Sequence, residues 1–349
     1  MRKLVFGLLA SLAIAAPAAA AQKVLTVSTW GGPNHGINTI VWPTWKKWIE
    51  EATDNRVTLE VVHDMGPPAA QMDLVVDGVA DVTWYFHGYA PGRFEATKLP
   101  EFPTFVDYSA EAASVAYWRT HKKYLEKVGE HRGVEVIALG VHGPGQIFAR
   151  TKITSLADLK GKRIRVGGGV MSEITNKLGV VGVPISPTSV YEAGSEGVID
   201  GAMLTLEGLR SFRVAEVMPT TLTLPGGFYR ASFSIMMNPD TWASLPARDR
   251  EAIESVSGEK LARLFGYMMD VADQRGIEFA KEQGNTFVEI SAKEQEQLKE
   301  LLKDLPETWI EQVSHRFPDA REALAYYRAE LAEAAKLPPI APEAIEVRP

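Results

Sequence analysis

The chain is expected to fold as an α/β protein in two domains, and three stretches predict this. Residues 24–28, 30–36, 40–52 and 57–62 read in turn as strand, glycine-rich turn, helix and strand, the opening of an α/β unit with parallel pairing. Residues 134–139 form an apolar, β-branched run, a buried strand, before the turn His142-Gly143-Pro144-Gly145 and a second strand that ends at Arg150. Residues 249–283 read as one long helix.

In the first unit, Trp42, Trp45, Trp48 and Ile49 recur at helical spacing and read as packing. Trp30 differs, because it ends a strand beside Gly31-Gly32; ligands of parallel α/β sheets sit beyond such strand ends, which brings in Trp30, Asn34 and His35. The glycines lack the Gly-x-Gly-x-x-Gly spacing of a dinucleotide site. A helix at 69–78 leads into a strand at 80–87, and a long helix is expected over 109–129. After Arg150, Ser155 caps one helical turn, and Arg163-Ile164-Arg165-Val166 alternates as a strand with both arginines on one face. An arginine in a short, apolar-flanked strand is costly to bury unless an anion meets it, whether a ligand or a buried acid of the chain. Helix, strand, helix follow over 172–193, an apolar strand over 233–237, a short strand over 286–290, and helices to about 335.

The 349 residues, 46% hydrophobic and 23% charged, suffice for two cores. Arg2 and Lys3, an apolar run to Ala16 and Ala-x-Ala sites read as a signal peptide over 1–21, cleaved after Ala20 or Ala21. Its loss takes the formal charge from −7 to −9 by removing those two cations. Such an acidic protein is a poor nucleic-acid binder. The absence of cysteine excludes thiolate metal sites, cysteine nucleophiles and disulfides.

The pattern Arg150, then Ser155-Leu156-Ala157-Asp158-Leu159-Lys160-Gly161 and Ile164-Arg165-Val166, resembles the DctP-type substrate-binding proteins of TRAP transporters. Residues 187–202 and the run Asn238-Pro239-Asp240-Thr241-Trp242-Ala243-Ser244-Leu245-Pro246 extend the resemblance over nearly all of the mature chain. It implies a two-domain periplasmic-binding-protein fold with a ligand cleft between the domains and the long helix bridging both. Domain I would comprise 22–147 plus 233–271, domain II 148–232 plus 272–335, and 336–349 would be a poorly ordered tail. In that family the arginine before the valine, here Arg165, grips the ligand carboxylate as a fork, with Arg150 as helper. The end of the third strand contributes pocket residues, which places Trp84, Phe86 and His87 there. His142, Gln146, Met203 and Phe228 complete the expected site. Where family members often carry a polar Asn or Glu, this chain has Met203-Leu204-Thr205, a departure that speaks against sugar acids.

The implied role is capture of a small organic acid, an aromatic or aliphatic monocarboxylate, in the periplasm and its delivery to the small and large TRAP membrane subunits, with no cofactor. The alternatives are a periplasmic enzyme acting on an organic acid and a binding protein with a metal-bridged ligand. Against the enzyme, Gly-x-Ser-x-Gly and His-Glu-x-x-His are absent and the seven histidines stand singly. Against the metal, no His-rich acidic loop occurs.

Overall fold

The computed structural model describes residues 22–341 and 345–347; the expected signal peptide lies outside them. Eleven strands form two mixed sheets. The first runs β2 (Val57–His63), β1 (Lys23–Thr29), β3 (Val82–Phe86), β10 (Ser232–Met237) and β4 (Glu135–Val141). The second runs β11 (Thr286–Glu289), β9 (Thr220–Thr223), β5 (Gly145–Ala149), β8 (Gly201–Thr205), β6 (Arg163–Val166) and β7 (Val181–Pro184). In each sheet one strand arrives from the other half of the chain and pairs antiparallel: β10 between β3 and β4, β5 between β8 and β9.

The first lobe is tied together by its aromatic helix, where Trp42 and Trp45 are fully buried. The chain passes between lobes at residues 142–144 and again between β9 and β10. The two crossings are zipped together: Gly145 N–H donates to Tyr229 O at 2.9 Å and Phe228 N–H to Gly145 O at 2.9 Å. The expected boundary after residue 147 therefore moves, because β5 belongs wholly to the second sheet.

The long helix is shorter than expected. It is split into Ala247–Ser255 and Gly258–Glu282. Ser257 between them is extended, and its hydroxyl accepts the Trp45 indole N–H at 3.2 Å. The second piece still touches both lobes. Gly266 packs against the Ala110 carbonyl and Gly276 against the Leu206 carbonyl, so closely that a Cβ would come within 2.3 and 2.1 Å of those oxygens. Likewise the expected helix over 109–129 is regular only for Ala110–Thr120; a π turn, His121–Leu125, and a 3-10 turn follow.

The C-terminal helices divide between the lobes instead of completing the second. Ala292–Leu302 begins at the second lobe, where Glu294 accepts Leu156 N–H at 2.8 Å. Leu305–Val313 and Ala320–Ala334 return to the first: Trp309 donates to Glu95 O at 2.7 Å, and Glu330 meets Arg119 at 3.0 Å. Their apolar stripes, with Trp309, Tyr327 and Leu331 buried, cover apolar surface of that lobe. The tail is also held where it is described: Glu346 and Thr44 exchange hydrogen bonds at 2.9 and 3.1 Å, and Ile340 N–H donates to Glu111 at 3.0 Å. Among the described residues no helix is long and apolar enough to cross a membrane.

Candidate functional site

β6 carries Arg163 and Arg165 on one face with opposite fates. Arg163, at the strand's outer end, is exposed and forks onto Asp200 at 2.8 and 3.1 Å. Arg165, at the inner end, is only 2% exposed. Its Nε donates to Ile185 O at 2.8 Å and its Nη1 to Met203 O at 3.0 Å. A carbonyl just beyond β7 and one within β8, the two neighbours of β6, thus hold the guanidinium still. Among the described residues no carboxylate pairs with it. Burial lowers its pKa, with Tyr89 and Tyr229 acting the other way, yet a guanidinium remains charged in a protein. Burying a cation without an acid partner is costly, and an anion joining it would offset that cost.

Arg165 faces a small cavity between the lobes, about 40 Å³ in volume. Its walls are aromatic. Trp30 stacks on Trp84 with centroids 3.9 Å apart and planes 6° apart, and Phe233 continues the stack at 5.6 Å. Phe86 and Tyr89 meet edge to face at 4.9 Å beside the arginine, while Met171, Leu204 and Met269 fill the remaining apolar wall. Burial raises the Tyr89 and Tyr229 phenols above their ordinary range despite the nearby Arg165 charge, so both keep their protons. Both rings line the cavity beside the guanidinium.

A second polar group lines the same cavity. His35, packed on Trp30, Trp84 and Phe212, places its Nε2 3.0 Å from Glu207 Oε1. Thr205 Oγ1 donates to the other Glu207 oxygen at 3.1 Å. Burial pushes the Glu207 carboxyl up, but His35, Ser211 and Thr205 together hold it below the ordinary glutamate range. His142 lines the wall as well; burial lowers it to about 4, leaving it neutral at neutral pH.

Of the residues expected from sequence, Trp30, His35, Trp84, Phe86, His142 and Arg165 come together here. Six do not line the cavity. Arg150 is exposed beside Gly197, because β5 runs antiparallel to β8 and carries it to the opposite end of the sheet. Asn34 is exposed on the outer surface. His87 lies behind the wall, where its Nδ1 is 3.0 Å from Ser232 Oγ and its Nε2 3.0 Å from His131 Nε2. Gln146 is occupied in pinning the crossing segment, since its amide exchanges hydrogen bonds with Leu224 at 2.9 and 3.1 Å. Met203 supplies only a carbonyl to Arg165, and Phe228 is core. Glu207 corrects the reading of the second-lobe strand end: the polar group missing at 203–205 stands two residues further on. Tyr89, Phe212, Glu207 and Tyr229 lie in loops without periodicity, and no local pattern announced them.

The lobes meet tightly around the cavity. Glu101 of the first lobe accepts Val170 N–H, at the start of helix Val170–Lys177 in the second, at 3.0 Å. Lys98 approaches Glu173 of the same helix at 3.7 Å. Gly168, with φ +113°, lies so near the Gly88 carbonyl that a Cβ would come within 2.3 Å of it. Among the described residues no cluster of His, Asp and Glu could hold a metal ion.

Comparison with known proteins fits this geometry. The family described as DctP, bacterial extracellular solute-binding protein, family 7, matches residues 28–312. The outer membrane transporter protein TsaT of Comamonas testosteroni is 29% identical over 339 residues, covering 93% of this chain and 96% of that protein. A TRAP periplasmic solute-binding protein from Bordetella bronchiseptica, with bound (R)- and (S)-mandelate, superposes with a TM-score of 0.85 at 33% identity, covering 89% of this chain and 99% of that one. A TRAP solute-binding protein from Rhodoferax ferrireducens in complex with copurified benzoate gives 0.83 at 29% identity, over 90% and 98% of the two chains.

Proposed function

Because the chain belongs to the bacterial extracellular solute-binding proteins of family 7, we propose that it captures a small aromatic monocarboxylate in the periplasm and hands it to the small and large membrane subunits of a TRAP transporter. The observation that carries this is Arg165: a buried guanidinium fixed by two carbonyls, with no acid partner among the described residues, at one end of an aromatic cavity. A carboxylate offers two oxygens in one plane, the complement of the guanidinium fork. The hydroxyls of Tyr89 and Tyr229 stand ready to donate to the same carboxylate. The rest of the ligand would lie against Trp30, Trp84 and Phe86, surfaces suited to a ring and poor in partners for a sugar's many hydroxyls. The TRAP proteins with bound mandelate and with benzoate support the same ligand class.

Titration calorimetry on the mature protein tests this with benzoate, mandelate, a C4-dicarboxylate and glucuronate. The aromatic acids are expected to bind and glucuronate not to. Binding of glucuronate or the dicarboxylate alone would overturn the reading.

A further inference from the structure

The Arg165 end of the cavity accounts for a carboxylate, but it leaves the His35–Glu207 pair without a role. Ile37 N–H donates to His35 Nδ1 at 3.1 Å, so Nδ1 is an acceptor and the ring proton sits on Nε2. That N–H looks toward Glu207, whose side chain is 3% exposed. The match between them is incomplete. Glu207 Oε1 is 3.0 Å from His35 Nε2 yet makes no hydrogen bond of acceptable geometry, whereas Oε2 is taken by Thr205. One N–H donor and one unmatched carboxylate oxygen therefore stand side by side on the wall of an aromatic cavity. An orphaned, buried carboxylate oxygen is costly, and the group that relieves it must donate a hydrogen bond.

The contacts around the two polar groups separate them. Arg165 neighbours Phe86 and Tyr89; His35 neighbours Trp30, Trp84 and Phe212. A ligand gripped by its carboxylate at Arg165 thus turns another part of its body toward His35 and Glu207. Of the simple substituents, a hydroxyl both donates, to Glu207, and accepts, from His35. A methoxy group only accepts, an ammonium only donates, and a bare ring does neither. A second carboxylate would meet Glu207 as a like charge.

Resting on the aromatic-acid reading, we propose that the cognate ligand is a hydroxylated aromatic acid, and that His35 and Glu207 are specificity-determining residues that take its hydroxyl against both Nε2 and Oε1. A site built to hydrogen-bond a hydroxyl discriminates against the analogue lacking it, because its own polar groups are then left unpaired.

The test is a calorimetric panel of matched acids: benzoate, 3- and 4-hydroxybenzoate, 3- and 4-methoxybenzoate, phenylacetate and mandelate. In the wild type at least one hydroxy acid is expected to bind about tenfold or more tighter than its unhydroxylated parent, and the corresponding methoxy acid is not. In Glu207→Leu that advantage should vanish, the hydroxy acid losing about tenfold or more affinity relative to its parent, a selective loss that a merely structural role would not produce. The wild-type panel decides the matter by itself if Glu207→Leu fails to fold. Equal binding of parent and hydroxy acids, an equal gain from methoxy, or an advantage that survives Glu207→Leu overturns this proposal and leaves the aromatic-acid reading standing. Failure of every acid in the panel to bind overturns both.

Discussion

The Nε2 atoms of His87 and His131 lie 3.0 Å apart in a space nearly closed to water, and the network around them fixes which one donates. When Glu101 is ionised, Ser232 Oγ donates to its Oε1 at 2.7 Å and so accepts from His87 Nδ1, 3.0 Å away. His87 therefore carries its proton on Nδ1 and accepts at Nε2 from His131. With Glu101 ionised, a directed chain runs from His131 through His87 and Ser232 to Glu101, which also accepts Val170 N–H from the other lobe.

These histidines should make the protein acid-sensitive. Burial lowers His87 to about 3, His121 to about 4, and His131 well below the ordinary value. The unfolded chain takes up protons below pH 6.5 and the folded chain does not, so stability is lost as pH falls from about 6.5 toward 4. His121 is the cleanest probe, because its Nδ1 has no partner. His121→Gln is expected to flatten the slope of urea stability between pH 7 and 5, recovering on the order of 2 kcal/mol at pH 5. An unchanged slope would show that His121 does not carry it.

Glu101 should give the opposite slope. Burial raises it to about 7 against the opposing hydrogen bonds from Val170 and Ser232. Its stabilisation is complete below the unfolded value near 4.5 and is lost as pH rises through about 7. Glu101→Gln keeps an acceptor for Val170 N–H and should remove this part of the pH dependence. Glu101→Ala leaves that N–H without its partner and should cost about 1–3 kcal/mol in urea unfolding or in ligand affinity. Indistinguishable Gln and Ala variants would count against the bridge.

Arg165→Ala and Arg165→Lys are both expected to lose about 2–5 kcal/mol of binding, roughly 30- to 4000-fold, since lysine keeps the charge but not the fork. Arg150→Ala should leave affinity within about twofold, because the side chain lies exposed at the far end of the sheet. Calorimetry with benzoate reads all three. Tight binding by Arg165→Ala would show that the anion site lies elsewhere.

Gly168 offers a test of lobe closure. Small-angle scattering of the wild type should show a smaller radius of gyration with saturating benzoate than without. In Gly168→Ala the added methyl would meet the Gly88 carbonyl, so the contraction should shrink and the affinity fall. Identical profiles with and without ligand would argue against a hinge.

Much of the fold was legible because its signals are local. Alternation gave the strands, and the arginine spacing around Ser155 and Gly161 pointed to Arg165, the arginine that lines the cavity. Strand alternation also held information that was not used: Trp84 and Phe86 share a face, so His87, one residue on, had to turn the other way, toward Phe94 and His131. Arg150 could not be placed without knowing that β5 runs against β8. Tyr89, Glu207 and Tyr229 reach the cavity from irregular segments brought together only by the tertiary fold.

The helix Gly258–Glu282 is keyed into both lobes, at Gly266 and at Gly276, ten residues or about 15 Å apart. Beside the second notch, Asp273 accepts Glu207 N–H at 2.7 Å, while Asp270 grips the first lobe by accepting Ala110 and Glu111 N–H at 2.7 and 3.0 Å. A rod seated in two sockets cannot follow both when they swing apart. Any rotation that parts the lobes must flex it or lift one end free, and the loop bearing Glu207, one of the two sockets, also lines the cavity. A helix keyed in this way would carry a displacement of the cavity wall to the first lobe, as a lever does.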